Sequence, residues 1–234
     1  MKKVLIIQSY ANQVEAEDER QDYMRTIGDH AAITFISSLN KFLPWHTPEE
    51  IVSGYDAVIV GGSSDFDFDG GREASDLILA TSHAILERMR PTIDHVIQNA
   101  IPCMGICYGH QMIGLSQGGT LHNDLEQNKL GSFEVTLTEE GQQDALFKNL
   151  PLSFVAQYIH KDSLTSLPTG ATLLGTGERC RFSVLRYGSN CYTTQFHTEF
   201  GEKEMQVAYP EQSNDFKPSL EASLVLPTFL DIIK

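Results

Sequence analysis

The sequence predicts an α/β fold: a single domain with a central, mostly parallel sheet flanked by helices, and extra short strands in its C-terminal half. Three observations carry this. Compact apolar runs at Val4–Ile7, Ala57–Val60 and Ile101–Gly105 have the length and continuity of strands covered on both faces. Charged, helix-patterned stretches separate them, the alternation that builds a parallel sheet from strand–helix–strand units. Beyond residue 130 the pattern shifts to short alternating strands punctuated by Pro151, Pro168-Thr169-Gly170 and Gly188.

Taken in order, Val4–Ile7 opens the sheet and Gln13–Ile27 follows as a charged helix. Ile33–Ser37 reads as a second strand. Thr47-Pro48-Glu49-Glu50 starts a helix, with an N-cap residue, a proline at N1 and acids in the first turn. Ala57–Val60 is a buried strand that runs into Gly61-Gly62-Ser63-Ser64. The acidic stretch Asp65–Asp69 after it reads as a solvated loop. Glu73–Asn99 reads as one or two helices, broken near Pro91 because proline removes a backbone donor. Ile101–Gly105 then feeds a turn, and Tyr108–Gln117 is the helix leaving it. The later strands fall at Ser132–Leu137, Phe154–Tyr158, Thr172–Thr176, Phe182–Arg186 and Cys191–Phe196.

The chain has 234 residues, of which 41% are hydrophobic, enough for one substantial core. Its 17 basic and 31 acidic residues leave a formal charge of −14, which repels phosphate backbones and anionic lipid. No nucleic-acid or membrane partner is expected. Lys2 and Lys3 precede only four strongly apolar residues, too few for a signal-peptide core. The cysteines at 103, 107, 180 and 191 form no CxxC pair and no zinc spacing. The expectation is free thiols in a reducing cytoplasm, with no metal and no cofactor. His110, His122 and Asp124 could be imagined around a metal, but their spacing does not demand one.

Chemistry concentrates at Gly105-Ile106-Cys107-Tyr108-Gly109. A cysteine between two glycines, after a strand and before a helix, has the form of a nucleophile elbow. The sharp turn strains the backbone at the nucleophile, and flanking glycines permit the close strand–helix approach. The helix start also favours thiolate over thiol. Gln195-Phe196-His197-Thr198-Glu199 supplies a base and its orienting acid, since residues two apart face one side of an extended chain. For a tetrahedral oxyanion, the Tyr108 N–H is one donor, and the Gly61-Gly62-Ser63 strand end can turn a second toward a ligand.

These two motifs together resemble the class I, triad-type glutamine amidotransferases, including the stand-alone members and the glutaminase domain of GMP synthetase. Leu130-Gly131, Val135–Thr138, His160-Lys161-Asp162 and Leu167–Ala171 are similar to segments of that family. The resemblance runs from about Val58 to Phe200 and implies a flavodoxin-like catalytic domain over residues 1–200, with 201–234 as a C-terminal extension packed on it. By resemblance, Cys107 attacks the carboxamide of glutamine, His197 shuttles protons and Glu199 orients it. Gly62 and Tyr108 would line the oxyanion hole, and Gln111, with Ser63 and His160, would meet the substrate. The implied partners are a small γ-glutamyl substrate, glutamine foremost, and a separate ammonia-accepting synthase subunit, unless the chain is a simple hydrolase. Thr198 and Ser63 stand where the family usually has proline, Tyr158-Ile159-His160 departs from its usual W-H pattern, and Phe182 replaces a common glutamine.

Each of these residues also has a plainer reading. Cys103, Cys180 and Cys191 are expected to be inert core, and His110 to pack on the elbow helix; His83, His95 and His122 are expected to be ordinary. His160 reads equally as a supporting group near the site or as a surface-loop histidine. Leu224–Ile233 is apolar enough to pack back as a helix or to meet a partner, despite Pro227. Two functional rivals stand beside the glutaminase: a γ-glutamyl peptidase or amidase using the same triad, and a non-catalytic binding or regulatory subunit.

Overall fold

A computed structural model describes residues 1–233. The chain runs β1 (Lys2–Gln8), α1 (Gln13–Ile27), β2 (Ala31–Ser37), α2 (Pro48–Val52), β3 (Ala57–Val60), α3 (Leu77–Gln98), β4 (Cys103–Ile106) and α4 (Tyr108–Ser116). It continues through β5 (Leu121–His122), β6 (Lys129–Leu137), α5 (Glu139–Gln143), β7 (Ser153–His160), β8 (Ser163–Leu164), β9 (Ala171–Gly177), β10 (Cys180–Tyr187) and β11 (Cys191–Thr194). Three helices close it: α6 (Glu202–Ala208), α7 (Leu220–Ser223) and α8 (Val225–Ile232).

One nine-stranded sheet holds the order β2-β1-β3-β4-β11-β10-β9-β6-β7. The pairings from β2 through β11 are parallel, and those from β11 to β7 are antiparallel. The later strands β6, β7, β9 and β10 therefore extend the same sheet, while β5 and β8 pair antiparallel as a separate two-stranded sheet. β11 is the hinge of this arrangement, since it pairs parallel with β4 and antiparallel with β10. Consecutive elements place β3 on one side of β1 and β2 on the other, so the strand order reverses at β1. Open α/β sheets bind ligands at the carboxyl ends of strands beside such a switch point.

Apolar layers cover both faces of the sheet. Val4, Ile6, Ala57, Ile59, Met104 and Ile106 face a core shared with Tyr23, Ile27 and the α8 residues Val225, Leu226, Phe229 and Leu230. Leu5, Ile7, Val58 and Val60 face the other core, against Ile85, Met89, Ile93 and Met112. Alternate residues of one strand thus feed opposite layers, which is why Val4–Ile7 is apolar throughout. The tail packs back as a helix, with Phe229 edge-on to Tyr192 at 6.2 Å between ring centroids.

Two sequence expectations are corrected here. α3 is unbroken across Pro91, and begins at Leu77, where the Asp76 side chain accepts from the Ile78 N–H. Ile85, Leu86 and Met89 before the proline and Ile93 and Val96 after it lie buried on one stripe. Five such side chains at about 1.5–3 kcal/mol each outweigh the roughly 3 kcal/mol a mid-helix proline costs. The Asp65–Asp69 segment is not a solvated loop either. Phe66 and Phe68 are buried, and Phe68 stacks on Tyr108 with centroids 4.7 Å apart. Its acids cap and pair: Asp65 accepts from the Ala11 and Asn12 N–H groups, and Asp67 binds Arg72. The Asp162 carboxylate in turn accepts from the Phe68, Asp69 and Gly70 N–H groups. Alternation of acid and aromatic sends the rings inward and leaves the carboxylates to backbone donors and to Arg72.

Candidate active site

β4 ends at Ile106 and α4 begins at Tyr108, so Cys107 is the whole turn. Its backbone sits at φ 50°, ψ −101°, strained for a residue with a Cβ. The turn is held by the Cys107 N–H donating to Thr194 O at 2.8 Å, which ties the elbow to β11. The flanking glycines are steric necessities. A Cβ on Gly109 would lie 2.1 Å from Val60 O, and one on Gly105 would lie 2.9 Å from Gly109 O. α4 therefore crosses directly on the backbone of β3 and β4. Its first donor, the Tyr108 N–H, has no acceptor among the described residues, as expected for the first turn of a helix.

Past β11 the chain bends toward β7, where the His197 N–H donates to Gln157 O at 2.9 Å. The imidazole Nδ1 is 2.7 Å from Glu199 Oε1, whose other oxygen accepts from the Thr198 N–H at 2.8 Å. That pairing assigns the Nδ1 proton to the Glu199 side and leaves Nε2 free. Phe200 stacks on the ring at 4.3 Å. Burial works against a charged imidazole, but the Glu199 carboxylate and the Cys107 sulfur outweigh it and hold the His197 pKa well above its ordinary value. His197 Nε2 has no hydrogen-bond partner among the described residues. The Cys107 thiol instead donates to Ile159 O at 3.4 Å, with the Gln195 amide 3.7 Å from the sulfur.

β3 delivers Gly61 and Gly62 to the same region. A Cβ on Gly62 would lie 3.5 Å from His197 Cε1, so this loop borders the imidazole. Its N–H is not free: it donates to Glu19 Oε1 on α1 at 2.9 Å. Glu19 is only 6% exposed, and its second oxygen accepts from the Gln8 amide at 2.8 Å. Burial pushes its pKa up to about 8, with Glu199 adding to the shift and the Gln8 and Gly62 hydrogen bonds opposing it.

A cavity of about 550 Å³ opens over these groups, with Cys107, His197, Glu199, Glu19 and Ser63 on its wall. The structure thus brings the three triad candidates and the Gly-Gly loop to one place. The remaining candidates sit differently. Ser63 lines the cavity, but its hydroxyl donates to Ser9 O at 2.6 Å and receives the Asp65 and Phe66 N–H groups. Gln111 is buried, and its amide donates to Asp162 O at 2.8 Å and Gln195 Oε1 at 3.3 Å, inside the protein. His160 is buried rather than on a surface loop, with Nδ1 3.0 Å from Asp162 O and a pKa lowered to about 3, by burial first. Neither Gln111 nor His160 is on the cavity wall. The sequence reading missed Glu19, Gln195 and the Ile159 carbonyl.

The plainer readings fit their surroundings. All four cysteines are free, and Cys103 and Cys191 are cross-strand neighbours in the core. Burial raises Cys180 to about 11, while Cys191 is raised by its contact with Cys103 and by burial. His110 packs under the elbow against Thr193 Oγ1 at 2.8 Å, neutral with a pKa near 3 because it is buried. Among the described residues no group of three or more His, Cys, Asp or Glu side chains could hold a metal ion, and no helix is long and apolar enough to cross a membrane.

The fold thus carries a strained cysteine at the end of a parallel strand, with a His–Glu pair one strand away. The sequence family described as glutamine amidotransferase class-I matches residues 37–214. This chain belongs to that family. Among its relatives, the glutamine-hydrolyzing GMP synthase subunit of Methanocaldococcus jannaschii is 26% identical over 187 residues, 80% of this chain and 85% of that one. The corresponding GMP synthase subunit of Methanococcus aeolicus is 27% identical over 176 residues, 75% and 82% of the two chains. In structure, a glutamine amidotransferase from Thermotoga maritima superposes with a TM-score of 0.61 at 20% identity, over 97% of this chain and 90% of that one. One from Methylobacillus flagellatus gives 0.65 at 14% identity, over 100% and 93%. These last two likenesses bear on the fold.

Proposed function

We propose that the protein is a glutaminase that hydrolyses the γ-carboxamide of glutamine through a Cys107 thioester. The observation that carries this reading is Cys107 on a strained elbow, beside a His197 that Glu199 orients at 2.7 Å, on the wall of one cavity. The Cys107 thiolate attacks the γ-carbonyl carbon, and the oxygen becomes an oxyanion facing the Tyr108 N–H. His197 passes its proton to the amide nitrogen, the C–N bond breaks and ammonia leaves. Water, deprotonated by His197, then attacks the thioester and releases glutamate and the thiolate. Relatives named as one subunit of a synthase suggest the ammonia's fate, an acceptor held by a separate synthase subunit.

A second reading has its own support. The cavity reaches past the triad to Lys203, Met205 and Tyr209, leaving room for a leaving group larger than ammonia. A γ-glutamyl peptidase would use the same steps with an amine departing. A panel of glutamine, γ-glutamyl peptides and asparagine, read by ammonia or amine release, separates the two readings. The glutaminase predicts ammonia from glutamine and none from Cys107→Ser. Inactivity of the wild type across the panel, or retained activity in Cys107→Ser, would overturn both.

A further inference from the structure

We propose that Glu19 is a positioning residue that holds the second oxyanion donor, the Gly62 N–H, away from the reaction until its carboxyl lets go. The inference rests on the reading that Cys107 forms a tetrahedral intermediate whose oxygen is held by Gly62 and Tyr108. Two donors are needed, and the structure leaves one open and one taken. The Tyr108 N–H has no acceptor among the described residues, whereas the Gly62 N–H gives its bond to Glu19 Oε1 at 2.9 Å. An oxyanion arriving at Gly62 must compete with that carboxyl for one hydrogen.

The contact is built, not incidental. α1 carries Glu19 on its buried stripe with Ala16, Tyr23 and Ile27, so the carboxyl is aimed at the ends of β1 and β3. Gln8, the last residue of β1, holds Oε2 at 2.8 Å while its own oxygen accepts from Arg20 Nε at 2.9 Å. A Cβ on Gly61 would lie 2.5 Å from Glu19 Oε1, so the loop is shaped around the carboxyl. Nearby, the Cys107 thiol donates to Ile159 O at 3.4 Å. The charged and titratable groups facing Glu19 are Glu199 and His197 beyond β11, Tyr10 in the β1–α1 loop, and Tyr23 on α1 itself. Arg20 is spent on Gln8. His197 opposes the shift, but burial outweighs it and pushes the Glu19 pKa up to about 8, so the carboxyl gains charge as pH rises through that range. The anion would grip Gly62 harder and repel a nearby oxyanion.

The test compares wild type, E19A and E19Q in glutamine hydrolysis, with kcat and KM measured from pH 6 to 10, beside iodoacetamide labelling of Cys107. E19A removes the competing acceptor, so kcat rises about three- to tenfold with little change in KM. E19Q keeps an acceptor oxygen and stays near wild type at pH 7, but loses the fall in kcat that wild type shows above pH 8. Iodoacetamide alkylation forms no oxyanion, so its rate stays level in all three. A tenfold or greater loss of kcat in folded E19A would show that Glu19 builds the hole rather than occupies it, and an unchanged alkaline limb in E19Q would also overturn the proposal. Hydrogen exchange at the Gly62 amide, followed by NMR, needs no turnover and stands apart from the glutaminase reading. Protection in wild type that is lost in E19A is expected, and a freely exchanging Gly62 in wild type sinks the inference.

Discussion

Gly109→Ala isolates the steric logic of the elbow. The new Cβ would lie 2.1 Å from Val60 O, 2.8 Å from Val60 C and 3.1 Å from Gly61 O, all backbone atoms of a central strand and its exit. No side-chain rotation relieves such a contact, so α4 must retreat from β3 by more than about 1 Å to bring the 2.1 Å contact to ordinary van der Waals separation. Overpacking of this kind costs about 1–3 kcal/mol. With about 2 kcal/mol as the central figure and a slope of about 2 kcal/mol per molar urea, the unfolding midpoint falls by about 1 M. The catalytic effect exceeds the loss of stability, because α4 starts at Tyr108 and carries the elbow with it. A displacement of about 1 Å at a reacting group costs about a hundredfold in rate. Urea melts followed by circular dichroism, with glutamine hydrolysis assayed well below the midpoint, read both quantities on folded protein. Gly114→Ala is the control, because its Cβ would meet only the flexible Leu164 side chain, at 2.6 Å. A G109A protein with wild-type midpoint and turnover, or one no worse than G114A, would refute the close-approach argument.

Three further outcomes follow from the same geometry. Glu199→Gln keeps the shape of the His197 partner but removes its charge, so kcat drops about a thousandfold or more while KM moves little, as steady-state kinetics would show. Ala100 closes α3 at φ 51° with the Ile101 N–H bonded to Val96 O at 2.9 Å; Ala100→Gly removes the left-handed strain and raises stability by about 1 kcal/mol in urea melts. Glu19 has its pKa raised from 4.5 to about 8 on folding, so its contribution is complete below pH 4.5 and is lost as pH rises through 8. Wild type should therefore lose stability relative to E19Q between about pH 5 and 8, and parallel midpoints across that range would contradict the burial argument.

What the sequence reveals and what it hides divide along physical lines. Gly105, Cys107 and Gly109 were legible because only glycine tolerates backbone at van der Waals distance, and that demand is written locally. His197 and Glu199 were legible for the same reason, since two residues of spacing sufficed to make them touch. The parallel half of the sheet showed itself in continuous apolar runs. By contrast, the antiparallel extension through β10, β9, β6 and β7 gave its strands but not their place, because pairing partners lie up to dozens of residues apart. Pro91 misled because helix propensity is local and the packing that overrides it is not. The inward turn of Gln111 depends on Asp162 and Gln195, 51 and 84 residues away, so no motif position could report it.

Glu19 is the instructive intermediate. Within Gln13–Ile27 it looks like one more surface acid, beside Glu15, Glu17 and Asp18. Yet the buried face of α1 is Ala16, Glu19, Tyr23 and Ile27, spaced three, four and four residues apart, the repeat of a helix stripe. An acid on that stripe must be buried whenever the helix docks, and a buried carboxyl needs donors and shifts its pKa. The sequence therefore contained the anomaly, though not its partners. What the fold adds is location: the stripe docks on the ends of β1 and β3, beside the switch point, where Gln8 and Gly62 meet the carboxyl. A charge out of register with its helix and a glycine pair at a strand end are each weak signals. Their contact beside Cys107 brings both weak signals to one place at the cavity wall.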